Sequence, residues 1–415
     1  MPNQLEEQEA IGQRVRRQRL KVGMTQADLA SAVGKTQAWV SRVEKGRIEL
    51  DRATLINALA AALHCHPNTL IQRPYSTTGA EPGSGWHAAA TSIMRELRRY
   101  DLAPVFDGAP RSAAALWQDM RRLHRLRDAA ANSAILHEIP DLLRESRALV
   151  EAASGREREE AFAVYAVTCK FAHTAAHALG QPELVALCCE RAVWAAHRSG
   201  DPLLPAMADW MRVWDMWATA DYADALALAD KALGGIQEQY DGGDPLALRV
   251  WGALQLRSAV SAARAGNRDE SSTRIQHAAE AARRVDAHVG PMPFDRHSVT
   301  FSTGNVQVHE ISVALEMADQ RQALRLNRRT DPWHIAALPK SRQGHHHMDL
   351  ARAWLWDGNR ERALTELEAA EGLAPQLVRN HPIARATLRQ LVYAERQLTR
   401  QKLRGMSDRF SLDDL

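Results

Sequence analysis

Residues 24–46 read MTQADLASAVGKTQAWVSRVEKG, and this stretch decides what the N-terminal part of the chain is. Its Gly-Lys-Thr at 34–36 has the ending of a phosphate-binding P-loop, which would make the protein a nucleotide-binding enzyme. That loop requires a buried β-strand ahead of it and a further glycine at position 29, which is Leu29. The residues that precede the motif follow a helical pattern instead, so the sequence argues against a nucleotide site.

The same stretch has the pattern of helix, glycine turn, helix. Thr25 is a predicted N-cap with Asp28 three residues later, and Thr36 is a predicted N-cap for the second helix. Gly34 supplies the tight turn between them. Val40 and its neighbour one turn later face inward, so the second helix presents a polar outer face able to enter a major groove. The outward residues are Gln37, Ala38, Ser41 and Arg42.

Residues 8–72 resemble the Xre/Cro/phage-repressor family of helix-turn-helix regulators. The likeness covers RVRRQRLKVGMTQADLA at 14–30, SRVEKG at 41–46 and LINALAAALHCHPNTLI at 55–71, which closes a five-helix bundle in that family. The resemblance implies that Gln26 and Thr36 hold phosphate oxygens and that Arg19 and Glu44 form an internal ion pair.

The resemblance also implies which residues read bases. Gln37, Ala38 and Arg42 occupy the family's base-reading positions, where Gln suits adenine, Arg suits guanine and Ala contacts a thymine methyl. Trp39 stands where a small polar residue is common, and it packs either on the sugar–phosphate edge or on its own domain. The remaining predicted DNA contacts are Lys35, Ser41, Lys45 and Arg47.

Composition is typical of a globular protein: 415 residues, 45% apolar and 25% charged. The net charge is +3, but residues 1–73 carry eleven Lys and Arg against seven Asp and Glu, which favours a polyanionic partner there. Four cysteines without a CxxC motif indicate a reducing compartment. The acidic start MPNQLEEQEA and the absence of a long apolar run predict neither signal peptide nor membrane span, hence a cytoplasmic, nucleoid-associated protein.

A helical repeat recurs from about residue 160. Its clearest copy is DGNRERALTELEAAEGLAP at 357–375, where Ala363, Leu367, Ala370 and Pro375 match the second half of a tetratricopeptide (TPR) repeat. Weaker copies place the anchor position at Val185, Ala225, Ser271 and Ala323. These spacings of 40 to 52 residues exceed the ideal of about 34, so the helices or loops are extended.

Apolar spacing of three and four residues nearly throughout predicts an all-α fold. We expect an N-terminal five-helix, lambda-repressor-like domain followed by a TPR-like α-solenoid of about six helical pairs. The predicted organisation is a DNA-binding domain at 1–72, a linker at 73–86 (RPYSTTGAEPGSGW, with Trp86 as its last residue) and a sensor and dimerisation domain at 87–415.

The inner surface of such a solenoid is lined by the first helix of each repeat, and counting back from the anchors predicts its residues to within about one position. Asparagine can hold a peptide backbone and tryptophan supplies apolar anchors, so an elongated peptide or small-molecule effector is a candidate ligand. The tryptophan stripe is equally well explained as inter-repeat core. The candidate residues are Lys170, Thr174, His177, Trp210, Trp214, Trp217, Asn305, His309, Ser312, Met348 and Arg352.

No metal, cofactor or catalytic site is predicted. Consecutive histidines at 345–347 point about 100° apart on a helix and cannot share one ion. His173 and His177 have i,i+4 spacing but lack a third ligand nearby. Nothing in the chain has the pattern of a nucleophile with its base or of paired catalytic carboxylates, so we do not expect an enzyme.

The combination of an Xre domain with TPR-like repeats resembles the peptide-pheromone receptor regulators and, more closely, a large set of actinobacterial regulators. The second likeness rests on FSTGNVQVHEISVALEMAD at 301–319, on GHHHMDLARAWLWDGNRERAL at 344–364 and on an Arg- and Ala-rich composition. It implies a homodimeric transcription factor on an inverted-repeat operator in double-stranded DNA, with a solenoid that senses a ligand. The alternative is a solenoid that docks partner proteins and binds no small ligand.

Overall fold

The computed structural model describes residues 11–48, 50, 52–65, 69–70, 86–289, 293–393 and 400–410, and its regular secondary structure in those residues is helical. The all-α prediction is confirmed. The N-terminal helices are α1 (Ile11–Val22), α2 (Gln26–Ala32), α3 (Gln37–Glu44) and α4 (Ala53–Ala62). The following helices are α5 (Trp86–Arg98), α6 (Ala113–Asp128), α7 (Asn132–Ala152), α8 (Gly155–Ala178), α9 (Pro182–Ala196), α10 (Leu203–Met216), α11 (Tyr222–Gly235), α12 (Gln237–Asp241), α13 (Pro245–Arg264), α14 (Arg268–Asp286), α15 (Thr303–Glu316), α16 (Gln320–Arg329), α17 (Pro332–Ala336), α18 (Lys340–Trp356), α19 (Arg360–Leu373), α20 (Pro375–Asn380), α21 (Pro382–Tyr393) and α22 (Arg400–Arg409).

Helices α1 to α4 enclose a small apolar core of their own. Val15, Leu29, Val40 and Leu59 are buried in it. A Cβ on Gly12 would lie 1.9 Å from the backbone oxygen of Val43, so α1 and α3 touch backbone to backbone and only glycine fits there. Most residues of the predicted fifth helix, around 66–71, and most of the predicted linker, 73–86, lie outside the described residues; Trp86 begins α5.

The repeats form successive helical pairs, namely α8 with α9, α10 with α11, α13 with α14, α15 with α16, and α18 with α19. The five anchor positions predicted from the sequence all lie in the second helix of a pair. Each is no more than 1% exposed, so small side chains there let the two helices approach closely. This agrees with a solenoid of extended TPR-like repeats.

The first helices of the five pairs form one continuous wall, because α8, α10, α13, α15 and α18 each pack against the next. The last repeat then returns to the first helices: α18 contacts α6, and α20 contacts α8. The Ser133 backbone N–H donates to the side-chain oxygen of Gln376 at 3.2 Å. The array therefore closes on itself, and we call the surface that these five first helices turn inward the inner wall.

The segment 293–302, between α14 and α15, inserts against α6, α8 and α13. Phe294 makes an edge contact with His124 at 5.2 Å between ring centroids. A Cβ on Gly252 would lie 2.0 Å from the ring of Phe301, so this aromatic side chain reaches the α13 backbone. Ser298 adopts a left-handed φ of 57° and is fully buried, which presents its carbonyl oxygen to the interior.

Within the described residues, none of the helices combines the length and the apolar character that a membrane crossing requires.

Candidate functional site

The turn between α2 and α3 has the geometry that the sequence predicted. The Thr25 hydroxyl accepts from the Asp28 backbone N–H, and the Asp28 carboxylate accepts from the Thr25 N–H in a capping box. Gly34 has a φ of 62°, as the tight turn requires. The Thr36 hydroxyl then accepts from the backbone N–H of Trp39 at 3.2 Å and caps α3. Two short helices are thus fixed in a helix-turn-helix.

A buried ion pair holds α1 against α3. The Arg19 guanidinium donates to both carboxylate oxygens of Glu44 at 2.6 and 3.1 Å and to the Met24 carbonyl oxygen at 2.7 Å. The ion pair raises the pKa of Arg19. The side-chain amide of Gln26 also donates to Glu44, at 2.8 Å. Gln26, predicted to hold a phosphate, thus uses one amide hydrogen inside the domain and keeps its remaining groups for other partners.

The outer face of α3 is open to solvent. Gln37, Ala38 and Arg42 are all exposed. The Arg42 side chain folds back along α3, so that its Nε donates to the Ala38 carbonyl oxygen at 3.3 Å. The other predicted contacts surround this face: Lys35, Thr36, Lys45 and Arg47 are exposed, and Ser41 is half-buried.

Trp39 packs against its own domain. Its ring is half-buried against the apolar core of α1 to α4. The Lys35 ammonium lies 5.9 Å from the ring centroid, over its face. Of the two interpretations open for this residue, the geometry favours packing, with one edge left at the outer surface.

Residues 10–70 match the family model described as a helix-turn-helix domain. The N-terminal region is a helix-turn-helix DNA-binding domain. The chain as a whole is therefore a DNA-binding regulator with a helical C-terminal region.

No curated protein matches the chain. Among solved structures, it is similar to Bacillus thuringiensis PlcR in complex with the peptide PapR7 and DNA, at 12% identity and a TM-score of 0.28. That match covers 67% of this chain and 96% of PlcR. A TM-score this low does not establish a common arrangement of helices.

On α8, the candidate Lys170 is committed to the interior segment. Its ammonium, which is 2% exposed, donates to the carbonyl and the hydroxyl oxygen of Ser298. The Arg127 guanidinium donates to the same carbonyl oxygen at 2.7 Å. Thr174, half-buried, donates its hydroxyl to the Lys170 carbonyl oxygen at 3.0 Å. Lys170 thus fixes the 293–302 segment and is not open to a ligand.

The tryptophans of α10 and its end play different roles. Trp210 is buried beneath the Arg257 guanidinium, and Trp217 donates its ring N–H to the Ser261 hydroxyl at 2.8 Å. Trp214 is half-buried and stacks face to face on His177, with 3.7 Å between centroids and 5° between planes. The His177–Trp214 stack thus offers a half-buried aromatic surface on the inner wall, whereas Trp210 belongs to the inter-repeat core.

On α15, the candidates Asn305 and His309 lie one turn apart. His309 Nδ1 is 2.7 Å from the Asn305 carbonyl oxygen, which assigns the proton to Nδ1 and leaves Nε2 as an acceptor. Burial, followed by the charge of Arg342, lowers the pKa of His309 to about 3, so it is neutral at pH 7. Asn305 donates to the Thr300 carbonyl oxygen at 2.9 Å, and its side-chain oxygen is buried with no hydrogen-bond partner among the described residues.

Three further candidates have structural roles. Met348 belongs to the apolar core of the last repeats and is 2% exposed. Arg352 is fully buried and lies 3.4 Å from the carboxylate of Asp349 and 3.9 Å from that of Glu316. Ser312 hydrogen-bonds to Asp349. Arg352 and Ser312 thus connect α15 to α18, and the buried Arg352 charge depends on these partners, because a buried charge that loses its partner costs several kcal/mol, about 3–5.

Sequence reasoning missed Arg257 and Arg342, which lie on the inner wall. Arg257 lies within one position of the count back from Ser271, the anchor of its own repeat. Arg342 lies six residues before Met348, the first candidate in its own repeat. In the part of the chain that the structure describes, no three His, Cys, Asp or Glu side chains group as metal ligands would.

Proposed function

We propose that the protein is a sequence-specific transcriptional regulator, of the Xre type and of actinobacterial character, that binds operator DNA through α3. The observation that carries this proposal is the outer face of α3. Gln37, Ala38 and Arg42 are exposed on one side of a capped helix, with cationic side chains on both flanks. This is the arrangement that a recognition helix requires in the major groove. A protein that acts on operator DNA works beside the nucleoid in the cytoplasm.

The test begins with identifying an operator by selection from genomic fragments, followed by gel-shift titration. Arg42→Ala and Gln37→Ala should each weaken operator binding by about 10- to 100-fold, which corresponds to about 1–3 kcal/mol for a base contact. Arg42→Lys is the matched control for charge, because it keeps the cation and loses the planar pair of donors. Operator affinity that is unchanged in both alanine variants would show that α3 does not read the bases.

We further propose that the inner wall senses a peptide or small-molecule effector. Support comes from the His177–Trp214 stack and from the buried Asn305 oxygen that has no partner among the described residues. The competing hypothesis, a protein-docking scaffold, needs no small ligand in the interior. Native mass spectrometry of the purified protein separates the two: a retained small molecule or peptide supports the sensor.

We propose that two copies bind one inverted repeat, because a two-fold operator matches a two-fold protein and each half-site takes one recognition helix. A ligand that favours one arrangement of the repeats would change the spacing of the two helices. Sedimentation of the protein with a full operator and with a half-operator tests the stoichiometry. One chain on the full operator would exclude the dimer.

Contacts between the two parts of the chain offer a route for this coupling. The side-chain amide of Asn57, on α4, donates to the hydroxyl of Tyr222, at the start of α11. The Arg52 guanidinium lies 5.9 Å from the ring centroid of Trp356. Tyr222→Phe removes the hydroxyl and keeps the ring, so it should alter how effector binding changes operator affinity while leaving the fold intact.

A further inference from the structure

Arg257 holds the centre of the inner wall without a carboxylate partner. It lies on α13, and its guanidinium carbon is 3.4 Å from the ring centroid of Trp210 and 4.6 Å from that of Trp214. One donor, on Nη1, is used by the Trp210 carbonyl oxygen. No Asp or Glu oxygen of the described residues lies within ion-pair distance of the guanidinium. A buried cation on aromatic faces retains strong unused donors in a site of low dielectric.

Arg342, near the start of α18, lies close enough to Arg257 and His309 for its charge to act on both. Its side chain is half-buried and makes no hydrogen bond or ion pair with any described residue. Burial lowers the pKa of Arg342 to about 10, and burial together with repulsion by Arg342 lowers that of Arg257. The negative charge of Asp349 opposes the lowering of the Arg342 pKa. The Asp349 carboxylate, however, lies 3.4 Å from the guanidinium of Arg352 and already pairs with it. Two like charges that are close enough to repel each other therefore remain uncompensated.

Nearby polar groups also lack partners. His173, on α8, is fully buried, and neither of its ring nitrogens has a hydrogen-bond partner among the described residues. The ring lies 5.4 Å from that of Trp214, and the charge of Arg257 contributes to lowering its pKa. The side-chain oxygen of Asn305 is buried and unpaired in the same way. Buried polar groups are normally satisfied, so an interior with several unmet groups points to a missing occupant.

The remaining side chains define the shape and charge of that occupant. The His177–Trp214 stack offers a flat, half-buried aromatic surface beside Arg257. His309 is neutral at pH 7, and the Lys170 ammonium is held by Ser298. The interior thus provides two guanidinium groups, whose paired N–H donors suit an oxyanion. A carboxylate is the oxyanion that the peptide effector proposed above carries at its C-terminus.

We propose that the inner wall binds a ligand with a carboxylate group and an apolar body, the carboxylate held by Arg257 and Arg342 and the body placed on the His177–Trp214 stack. A short peptide with a free C-terminus and an aromatic or acyl carboxylic acid share this chemistry. The proposal rests on the sensing role proposed above. The bound carboxylate would offset both the burial and the mutual repulsion of the two arginines.

Two matched probe pairs test the charge requirement in the full-length protein by calorimetry. The first pair is 1-naphthylacetate and its neutral amide, and the second is an apolar heptapeptide with a free or an amidated C-terminus. The acid member of at least one pair should bind ten or more times more tightly than its amide. The pair that shows this preference identifies the source of the ligand.

Arg342→Gln should abolish the preference for the acid, and Arg342→Lys should retain part of it. Because the half-buried Arg342 side chain has no described hydrogen-bond or ion-pair partner to lose, both variants should fold, which a thermal melt checks. Arg268→Gln, at an exposed arginine on α14, is the matched control and should leave the preference unchanged.

Equal binding of acid and amide in both pairs, absence of binding by all four probes, or an unchanged preference in Arg342→Gln would overturn the proposal. Tighter binding of 1-naphthyl phosphate than of 1-naphthylacetate would overturn the carboxylate assignment. Gel shifts on the same samples keep the two proposals apart, since operator binding through α3 does not require the inner-wall arginines.

Discussion

The outer face of α3 and the inner wall of the repeats both carry arginines, but the environment of the side chain is opposite in the two regions. Arg42 on α3 is exposed, and its guanidinium makes only a 3.3 Å contact with its own helix. Arg257 on α13 is 5% exposed and is enclosed by two tryptophans. A surface cation stays hydrated until it contacts a phosphate or a base, whereas a buried cation without a partner destabilises the folded protein. The first arrangement suits DNA recognition, and the second suits a selective interior site.

The largest difference between the two regions should appear in acid. Burial is the main cause that lowers the pKa of His124 and His309 to about 3 and that of His346 to about 4. It also lowers the pKa of His173 and His345 well below the usual range. Below the ordinary histidine pKa of about 6.5, the unfolded chain binds protons that the folded repeats do not, so stability falls. We expect the repeats to unfold between about pH 6 and pH 4.

The helix-turn-helix domain should resist the same titration, because the one histidine among its described residues, His64, is exposed. Asp349 acts in the opposite sense: burial raises its pKa to about 6, so its protonation in the folded state offsets part of the loss as the pH falls. Hydrogen exchange of the intact protein, resolved by segment, measures both regions at once. Loss of protection in α1 to α4 before α13 to α18 would contradict the prediction.

The buried carboxylates of the two regions provide the next contrast. Glu44 receives two hydrogen bonds from Arg19, the shorter at 2.6 Å, whereas Glu316 lies 3.4 Å from Arg264. Glu44→Ala leaves a buried guanidinium unpaired and should cost about 3–5 kcal/mol of unfolding free energy. Glu316→Ala breaks two longer contacts, with Arg264 and Arg352. Arg352 keeps Asp349 at 3.4 Å, so this substitution should cost less. Urea unfolding followed through each region measures both, and a larger loss for Glu316→Ala would reverse the expected order.

Two glycines allow the packing of the two regions to be compared. A Cβ on Gly12 meets the backbone oxygen of Val43 at 1.9 Å, whereas one on Gly252 meets the ring of Phe301 at 2.0 Å. Overpacking of this kind costs about 1–3 kcal/mol. A ring can rotate and the α3 backbone cannot, so Gly12→Ala should lie at the upper end of that range and Gly252→Ala nearer the lower end. Thermal melts of both variants check this, and Phe301→Leu should relieve only Gly252→Ala.

These contrasts also explain how far the sequence could predict the molecule. Thr25, Gly34 and Thr36 act on residues three or four positions away, so local spacing was enough to place α2 and α3 and the outer face of α3. The repeat anchors were recognisable for the same reason. The contact of Ser133 with Gln376 joins residues 243 apart, and no local pattern encodes it.

The sequence did not predict which inner-wall residues are open to a ligand, because no local pattern shows that the repeat array closes. An open solenoid leaves the inner side of each first helix to solvent, so every polar residue on that side is a plausible ligand contact. In the closed array, the Lys170 ammonium instead meets Ser298, which belongs to a segment with no helical period. The aromatic stripe was ambiguous because packing and ligand binding both favour the same residue types at the same spacing.

The smallest expected effect tests whether the surface around α3 acts by charge alone. Lys45 is exposed in the turn that follows α3, where a phosphate contact is expected. Lys45→Ala should weaken operator and unrelated DNA by the same factor and reduce the slope of log affinity against log salt by about 0.9, the value for one phosphate. Lys231→Ala, at an exposed lysine on α11, is the matched control for net charge and should leave the slope unchanged. If Lys45→Ala weakens only operator binding, Lys45 reads sequence, and the division between base contacts on α3 and phosphate contacts on its flanks is wrong.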